Sequence, residues 1–362
     1  MEKLNFACAW GYGDIRQSWS GTNYGLYSHL QKYYEVENVN TGIFHRGWLT
    51  FPLRVARKLH HVFCGDDMEV LRMRMANRFV RTPGATLQFD ECPAVHGDER
   101  HYIYQDLSVD YVLKMATSLP DVFAHSAYQH IQMPRIKARA RMQNAFYAKA
   151  AGIFTMGKWL VKELEEDRNI SVKDKVHHVG GGINVDASLI GNYTQRQGNK
   201  ILFVGRDFET KNGALVVEAF RLLRERRPEV ELFIAGPEHL QLSDAGIHLL
   251  GNLPYRELPQ YYNLCDVFCM PSKFEAYGLV FPEALTFGLP CIGRDAYEMP
   301  YFIEDGETGY LLRSETKEEL ADLMDRALGN QQLAANVRER RDFYVQEYSW
   351  DTVARRIYEV IG

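Results

Sequence analysis

No apolar run in this 362-residue chain approaches the roughly 18 residues of a membrane-crossing helix, so no span is expected. Cysteine is sparse: Cys8, Cys64, Cys92, Cys265, Cys269 and Cys291 form no Cys-x-x-Cys pair. That spacing argues against a zinc or disulfide framework and for reduced thiols in a core. No Asp-x-Asp pair closes an apolar strand, and His130 and the pair His177-His178 have no second ligand at metal spacing. No metal is therefore expected. The basic clusters lack the aromatic interleaving of a nucleic-acid module, so no nucleic acid is expected as a partner. The opening residues, Met1–Trp10, carry too brief an apolar run for a secretory leader and read as a strand, which points to the cytoplasm.

What is present fits two domains, because 362 residues exceed one ordinary core. The 46% hydrophobic and 25% charged fractions are those of a soluble globular protein. The net charge of −5 hides an asymmetry: residues 1–180 hold 23 Lys+Arg against 19 Asp+Glu, the remainder 19 against 28. Basic clusters stand at Arg54–Lys58, Arg72–Arg81 and Arg135–Arg141. Solvated helix faces are the plain explanation. The sharper one is attraction of the first half to the anionic inner face of a membrane or to a lipid-diphosphate acceptor.

The most informative stretch is Pro271–Pro290. An apolar strand, Asp266–Met270, breaks at Pro271, and a short helix follows that stops near Gly288. Glu275 in the loop and Glu283 in the helix are eight residues apart. Between them Ala276, Tyr277 and Gly278 offer backbone N–H groups at a helix start, where anions are favoured and glycine permits close approach. A phosphate-facing helix end beside two hydroxyl acceptors suits a nucleotide sugar. Upstream, Lys200–Gly205 is an apolar strand, Ala214–Arg226 a helix and Glu231–Ala235 a strand, a parallel βαβ pattern whose ligands bind beyond the strand C-termini. Arg206 and Lys211 project from that edge, placed to neutralise a diphosphate.

The first half reads as strands at Leu4–Trp10, Tyr34–Val39, Ala85–Phe89, Tyr102–Leu107, Gly152–Met156 and Lys175–Val179, with intervening helices that include Tyr24–Tyr33 and Met142–Ala151. Gly21 and Thr22 mark a strand-to-helix turn able to hold phosphate. Gly11-Tyr-Gly13 hints at a dinucleotide fingerprint, but Arg16 stands where its third glycine belongs. The triple glycine Gly180–Gly182 is a cleft floor or a domain hinge, and Asp186–Asn199 a polar linker.

Glu275 and Glu283 in their setting, with Gly288–Ile292 and Glu304–Leu311 after them, resemble the E-x7-E segment of the retaining glycosyltransferases of family 4, the glycosyl transferases group 1. Gly205-Arg206 followed by Lys211-Asn212 is similar to that family's Gly-Arg-x4-Lys-Asn pattern. The resemblance implies an α/β GT-B fold, two Rossmann-like domains with parallel sheets facing across a cleft. It places an acceptor-side domain at 1–185, a nucleotide-sugar domain at 186–345, and a terminal helix, 346–362, crossing back to the first domain. It also implies that Ser20-Gly21-Thr22 lines the cleft, that Leu253 meets the base, and that Glu283 takes the ribose hydroxyls. Glu275 and the N–H groups near Tyr277–Leu279 would hold the sugar. Where the family shows His-Asp this chain has Gln105-Asp106, and an amide donates to a hydroxyl but does not titrate. His125 is the other candidate for that histidine, against its plainer reading as a packing residue. The implied reaction moves a sugar from a UDP- or GDP-type donor to a saccharide or lipid-linked saccharide hydroxyl in bacterial polysaccharide assembly, with retention and no metal or cofactor. A nucleotide-sugar epimerase and a non-catalytic sugar or nucleotide binder are the alternatives.

Overall fold

The computed structural model describes residues 1–9, 15–42, 51–65, 68–75, 78, 83–89, 100–166, 172, 174–191 and 196–362, the side chains of Arg16, Gln17 and Ser20 excepted. The chain forms two compact units, Met1–Gly182 together with Trp350–Gly362, and Ile183–Ser349.

The first unit runs β1 (Lys3–Cys8), α1 (Thr22–Leu30), β2 (Glu35–Asn40), α2 (Phe51–Cys64), α3 (Glu69–Met75), β3 (Ala85–Phe89), β4 (His101–Gln105), α4 (Val109–Ser118), α5 (Pro120–Phe123), α6 (Met133–Lys149), β5 (Gly152–Thr155), α7 (Lys158–Glu166) and β6 (Val176–His178). Its six strands pair parallel in the order β2-β1-β3-β4-β5-β6. Parallel strands covered on both faces bury side chains of both parities, and Leu4, Phe6, Leu87, Ile103, Tyr104, Ile153 and Phe154 are fully buried.

The second unit runs β7 (Lys200–Val204), α8 (Gly213–Arg226), β8 (Glu231–Ala235), β9 (Ile247–Gly251), α9 (Leu258–Leu264), β10 (Val267–Cys269), α10 (Val280–Thr286), β11 (Cys291–Arg294), α11 (Met299–Phe302), β12 (Gly309–Leu312), α12 (Lys317–Gly329), α13 (Gln331–Glu339) and α14 (Arg341–Glu347). The order is β12-β11-β10-β7-β8-β9, all parallel. Counted from β7 this is the dinucleotide-fold order, which reverses direction between its first and fourth strands. The crevice beyond the C-terminal ends of β7 and β10 is thereby singled out before any side chain is considered.

The chain returns to the first unit with α15 (Trp350–Ile361). Trp350, Val353, Ala354, Ile357 and Ile361 recur at helical spacing and are buried. Tyr358 stacks on Tyr33 with centroids 4.8 Å apart, and Lys32 reaches Asp351 at 2.5 Å. Trp350 lies so close to α1 that a Cβ on Gly25 would overlap its indole, and one on Gly182 would as well.

Glycine to alanine inside a helix ordinarily stabilises by about 1 kcal/mol. Gly25→Ala is expected to reverse that sign, because the added methyl displaces Trp350, an overpacking that costs about 1–3 kcal/mol. Urea unfolding followed by far-UV circular dichroism measures it, and a variant as stable as the parent would show that α15 does not bear on Gly25.

Candidate functional site

At the point where the second sheet reverses, the turn after β7 and the loop after β10 meet. Lys211 Nζ stands 2.5 Å from Glu275 Oε2, with both side chains largely buried. Gly205 makes room for the lysine, since a Cβ there would lie 2.6 Å from Lys211 Cγ. Gly278, at φ +90°, makes room for the carboxylate, because a Cβ would lie 2.8 Å from Glu275 Cγ. The two loops are also tied through their backbones. Lys273 N–H donates to Thr210 O at 3.0 Å, and the Asn212 amide donates to Pro271 O at 3.2 Å. Asn212 is itself left-handed, at φ 59°. Asparagine tolerates that conformation better than most residues, so one side chain supplies both the turn and the tie. Asp207 closes the turn by accepting from Thr210 N–H and hydroxyl. Burial alone would raise its carboxyl, but these bonds and nearby Lys211 hold it below the ordinary range. Arg206, at the C-terminal end of β7, is exposed, and among the described residues its guanidinium makes no hydrogen bond or ion pair. The site thus presents one free cation, one cation paired with a carboxylate, and a backbone turn at Ala276–Leu279, of which Tyr277 is buried and the others are half-buried.

Glu283 turns inward. It is 1% exposed, accepts from the Tyr262 hydroxyl at 3.0 Å and from Asn184 N–H at 3.3 Å, and is not joined to Lys211. Burial pushes its carboxyl up to about 7, against the opposing pull of those two donors. Leu253 follows β9 and is half-buried.

In the first unit, Gln105 ends β4 and is buried, its amide donating to the Tyr147 hydroxyl at 2.7 Å and its carbonyl accepting from it at 2.8 Å. Asp106 follows, half-buried. Gly21, at φ 91°, caps α1 and Thr22 is buried beside it. His125 sits half-buried in the turn after α5, its N–H bonded to Val122 O at 3.1 Å. Gly11, Gly13, Cys92 and the Ser20 side chain lie outside the described residues. Tyr104 donates to Gly180 O at 2.9 Å, and Gly180 at φ +84° bends the chain there.

Residues 192–342 match the family model described as glycosyl transferases group 1. The second unit is a glycosyl transferases group 1 domain. Among curated proteins, the chain is 29% identical over 200 residues to a phosphatidyl-myo-inositol mannosyltransferase of Mycobacterium leprae, a match covering 51% of this chain and 53% of that protein. The chain spans about half the length of the curated relatives it matches. Among solved structures, WaaG, a glycosyltransferase involved in lipopolysaccharide biosynthesis, superposes with a TM-score of 0.65 at 15% identity over 99% of both chains. Anabaena Alr3699/HepE, solved with UDP and glucose, superposes with a TM-score of 0.60 at 14% identity, again over 99% of both. At such identities the likeness is one of fold, the GT-B fold of two Rossmann-like units.

Within the group 1 domain, sequence reasoning named Asn212 only as part of the Lys-Asn pattern, without its tie to Pro271, and missed Ser272 (3.5 Å from Glu275) and Tyr262. Asn212 adjoins Lys211 and precedes a helix, which is a turn signal. The other two carry none. In the first unit it missed Tyr147, whose bond to Gln105 spans 42 residues of chain.

Because the folded Glu283 carboxyl stands at about 7 against an ordinary 4.5, the folded chain keeps a proton there that the unfolded chain has released. Its contribution is full below about pH 4.5 and lost as pH rises through about 7. Glu283→Gln removes this dependence, so the unfolding free energy of the variant minus the parent should climb between those pH values by on the order of 3 kcal/mol. Denaturant unfolding across the window reads the slope, and a difference that stays flat would mean Glu283 is ionised in the fold.

Proposed function

We propose that the chain transfers a sugar from a nucleotide diphosphate sugar to an acceptor hydroxyl, retaining anomeric configuration. The observation that carries this is the approach of Lys211 to Glu275 at the sheet's reversal point, with Arg206 exposed on the same turn. Cations beyond strand C-termini are where a diphosphate's charge is best met, and Glu275 beside them accepts from sugar hydroxyls. As the bond from the anomeric carbon to the diphosphate oxygen breaks, charge grows on that oxygen, and Lys211 and Arg206 stabilise it. The acceptor oxygen bonds the anomeric carbon on the face the diphosphate leaves, and its proton passes to a phosphate oxygen. When ionised, Glu283 has four acceptor positions, of which the Tyr262 hydroxyl and Asn184 N–H take two, and the others accept from ribose hydroxyls. Two cations supply the neutralisation a metal would otherwise give, so the reaction proceeds without one. The solved neighbour holding UDP and glucose and the matched mannosyltransferase support a nucleotide-sugar donor and a saccharide or lipid-linked saccharide acceptor.

A thermal-shift panel of UDP- and GDP-sugars identifies the donor. With that donor, Lys211→Ala should lower transfer by about 10²–10³-fold, the loss typical of removing one group that stabilises developing charge. Lys317→Ala, exposed at the start of α12, serves as control, and both variants should keep the parent's circular dichroism. Equal rates in the two variants would sink the diphosphate role of Lys211. Loss of transfer to a chelator, restored by added manganese, would overturn metal independence. An epimer formed by the donor alone, seen by proton NMR, would replace the transferase reading.

A further inference from the structure

Amphipathic helices of a folded domain turn their apolar stripe inward. Helix α2 does the opposite. Phe51, Val55, Leu59, Val62 and Phe63 recur at intervals that place them on one side, and all five are exposed, from 45% at Val55 to 74% at Phe63. The half-buried side of the same helix carries Leu53, Arg57, His60 and Cys64. The helix is not a frayed end. Gln132, at the start of α6, pins its last turn, its N–H donating to Cys64 O at 3.2 Å and its side chain to Phe63 O at 2.9 Å. A contiguous apolar face held outward is one built to be covered.

The charges around it say by what. From Asn38 to Gly65 the sequence has no acidic residue, while Arg54, Arg57 and Lys58 lie within the helix. Lys58 is exposed at the margin of the apolar face, and the Arg54 guanidinium lies 5.6 Å from the Phe51 ring centroid beside it. A second copy docked here about a two-fold axis would set this acid-free helix against itself, cation facing cation. An anionic lipid surface answers both features, since acyl chains receive the apolar side chains and headgroup phosphates receive the cations. Fourteen residues make a helix about 21 Å long, which suits lying in the interface rather than crossing it.

We propose that α2 is the element by which this chain docks on anionic phospholipid, its Phe51–Phe63 face entering the headgroup boundary and Lys58 and Arg54 meeting phosphate. This does not rest on the sugar-transfer reading and is tested without turnover. The full chain is sedimented with vesicles of phosphatidylcholine alone and of phosphatidylcholine with one-third phosphatidylglycerol. It should partition onto the anionic vesicles, weakly onto the neutral ones, and less as salt is raised. The double variant Val62→Ser/Phe63→Ser should lower that partition by at least about tenfold, and Lys58→Glu by about tenfold, with circular dichroism unchanged. Failure of the parent to sediment with anionic vesicles would overturn the proposal. So would equal sedimentation of the double variant, or equal affinity for neutral vesicles. A parent dimer that the double variant splits, with no lipid binding, would assign the face to a second copy instead.

Discussion

Lys211 and Glu275 are 64 residues apart in the chain and 2.5 Å apart in space, and the surrounding residues are chosen to keep them so. Two glycines give up their side chains to admit the pair, a left-handed asparagine ties one loop to the other, and an aspartate fixes the turn that carries the lysine. Each device has an energetic cost of its own, since a left-handed asparagine is strained by about 1 kcal/mol and a glycine adds backbone entropy to the unfolded chain. Such costs persist where the surrounding structure over-determines the conformation, and here that structure is a parallel sheet whose strand order leaves a crevice at this spot.

The sequence disclosed the participants more readily than their partners. Strands such as Ala85–Phe89 and Glu231–Ala235 were legible to the residue, because each is a short, mostly apolar run set off by a Pro-Gly or Gly-Pro turn signal. Strands β11 and β12 carried too little pattern: four residues each, one of them glycine, give periodicity nothing to register. The helix expected from Met142 begins at Met133, because Arg135–Arg141 reads as a surface charge cluster while Pro134, in the first turn, is the real start signal. Part of that cluster is not on the surface at all, since Arg139 is buried with its guanidinium 4.8 Å from the Tyr128 ring centroid. The pairing of Lys211 with Glu275 could not be read, because it depends on which strand lies beside β7. The inward turn of Glu283 could have been: its helix, Val-Phe-Pro-Glu-Ala-Leu-Thr, is apolar on every side, and a helix of that kind is buried all round.

The two units use polar residues differently. In the group 1 domain a cation is left exposed beyond a strand end and a second is paired with a buried carboxylate. In the first unit Gln105 and Tyr147 satisfy each other in the interior, a closed exchange of hydrogen bonds that fixes the end of β4. Its unspent surface lies instead on α2, where apolar side chains face outward.

The first unit is built from two separated pieces of chain, while the group 1 domain is continuous. During synthesis the ribosome therefore finishes the second unit before the first has its last helix. Until Trp350–Ile361 emerges, the side of α1 around Gly25 lacks its cover and Tyr33 its stacking partner. The earlier-made half of the protein must wait for the later-made one, so a chain cut short near its end would release an intact domain joined to an unfinished neighbour.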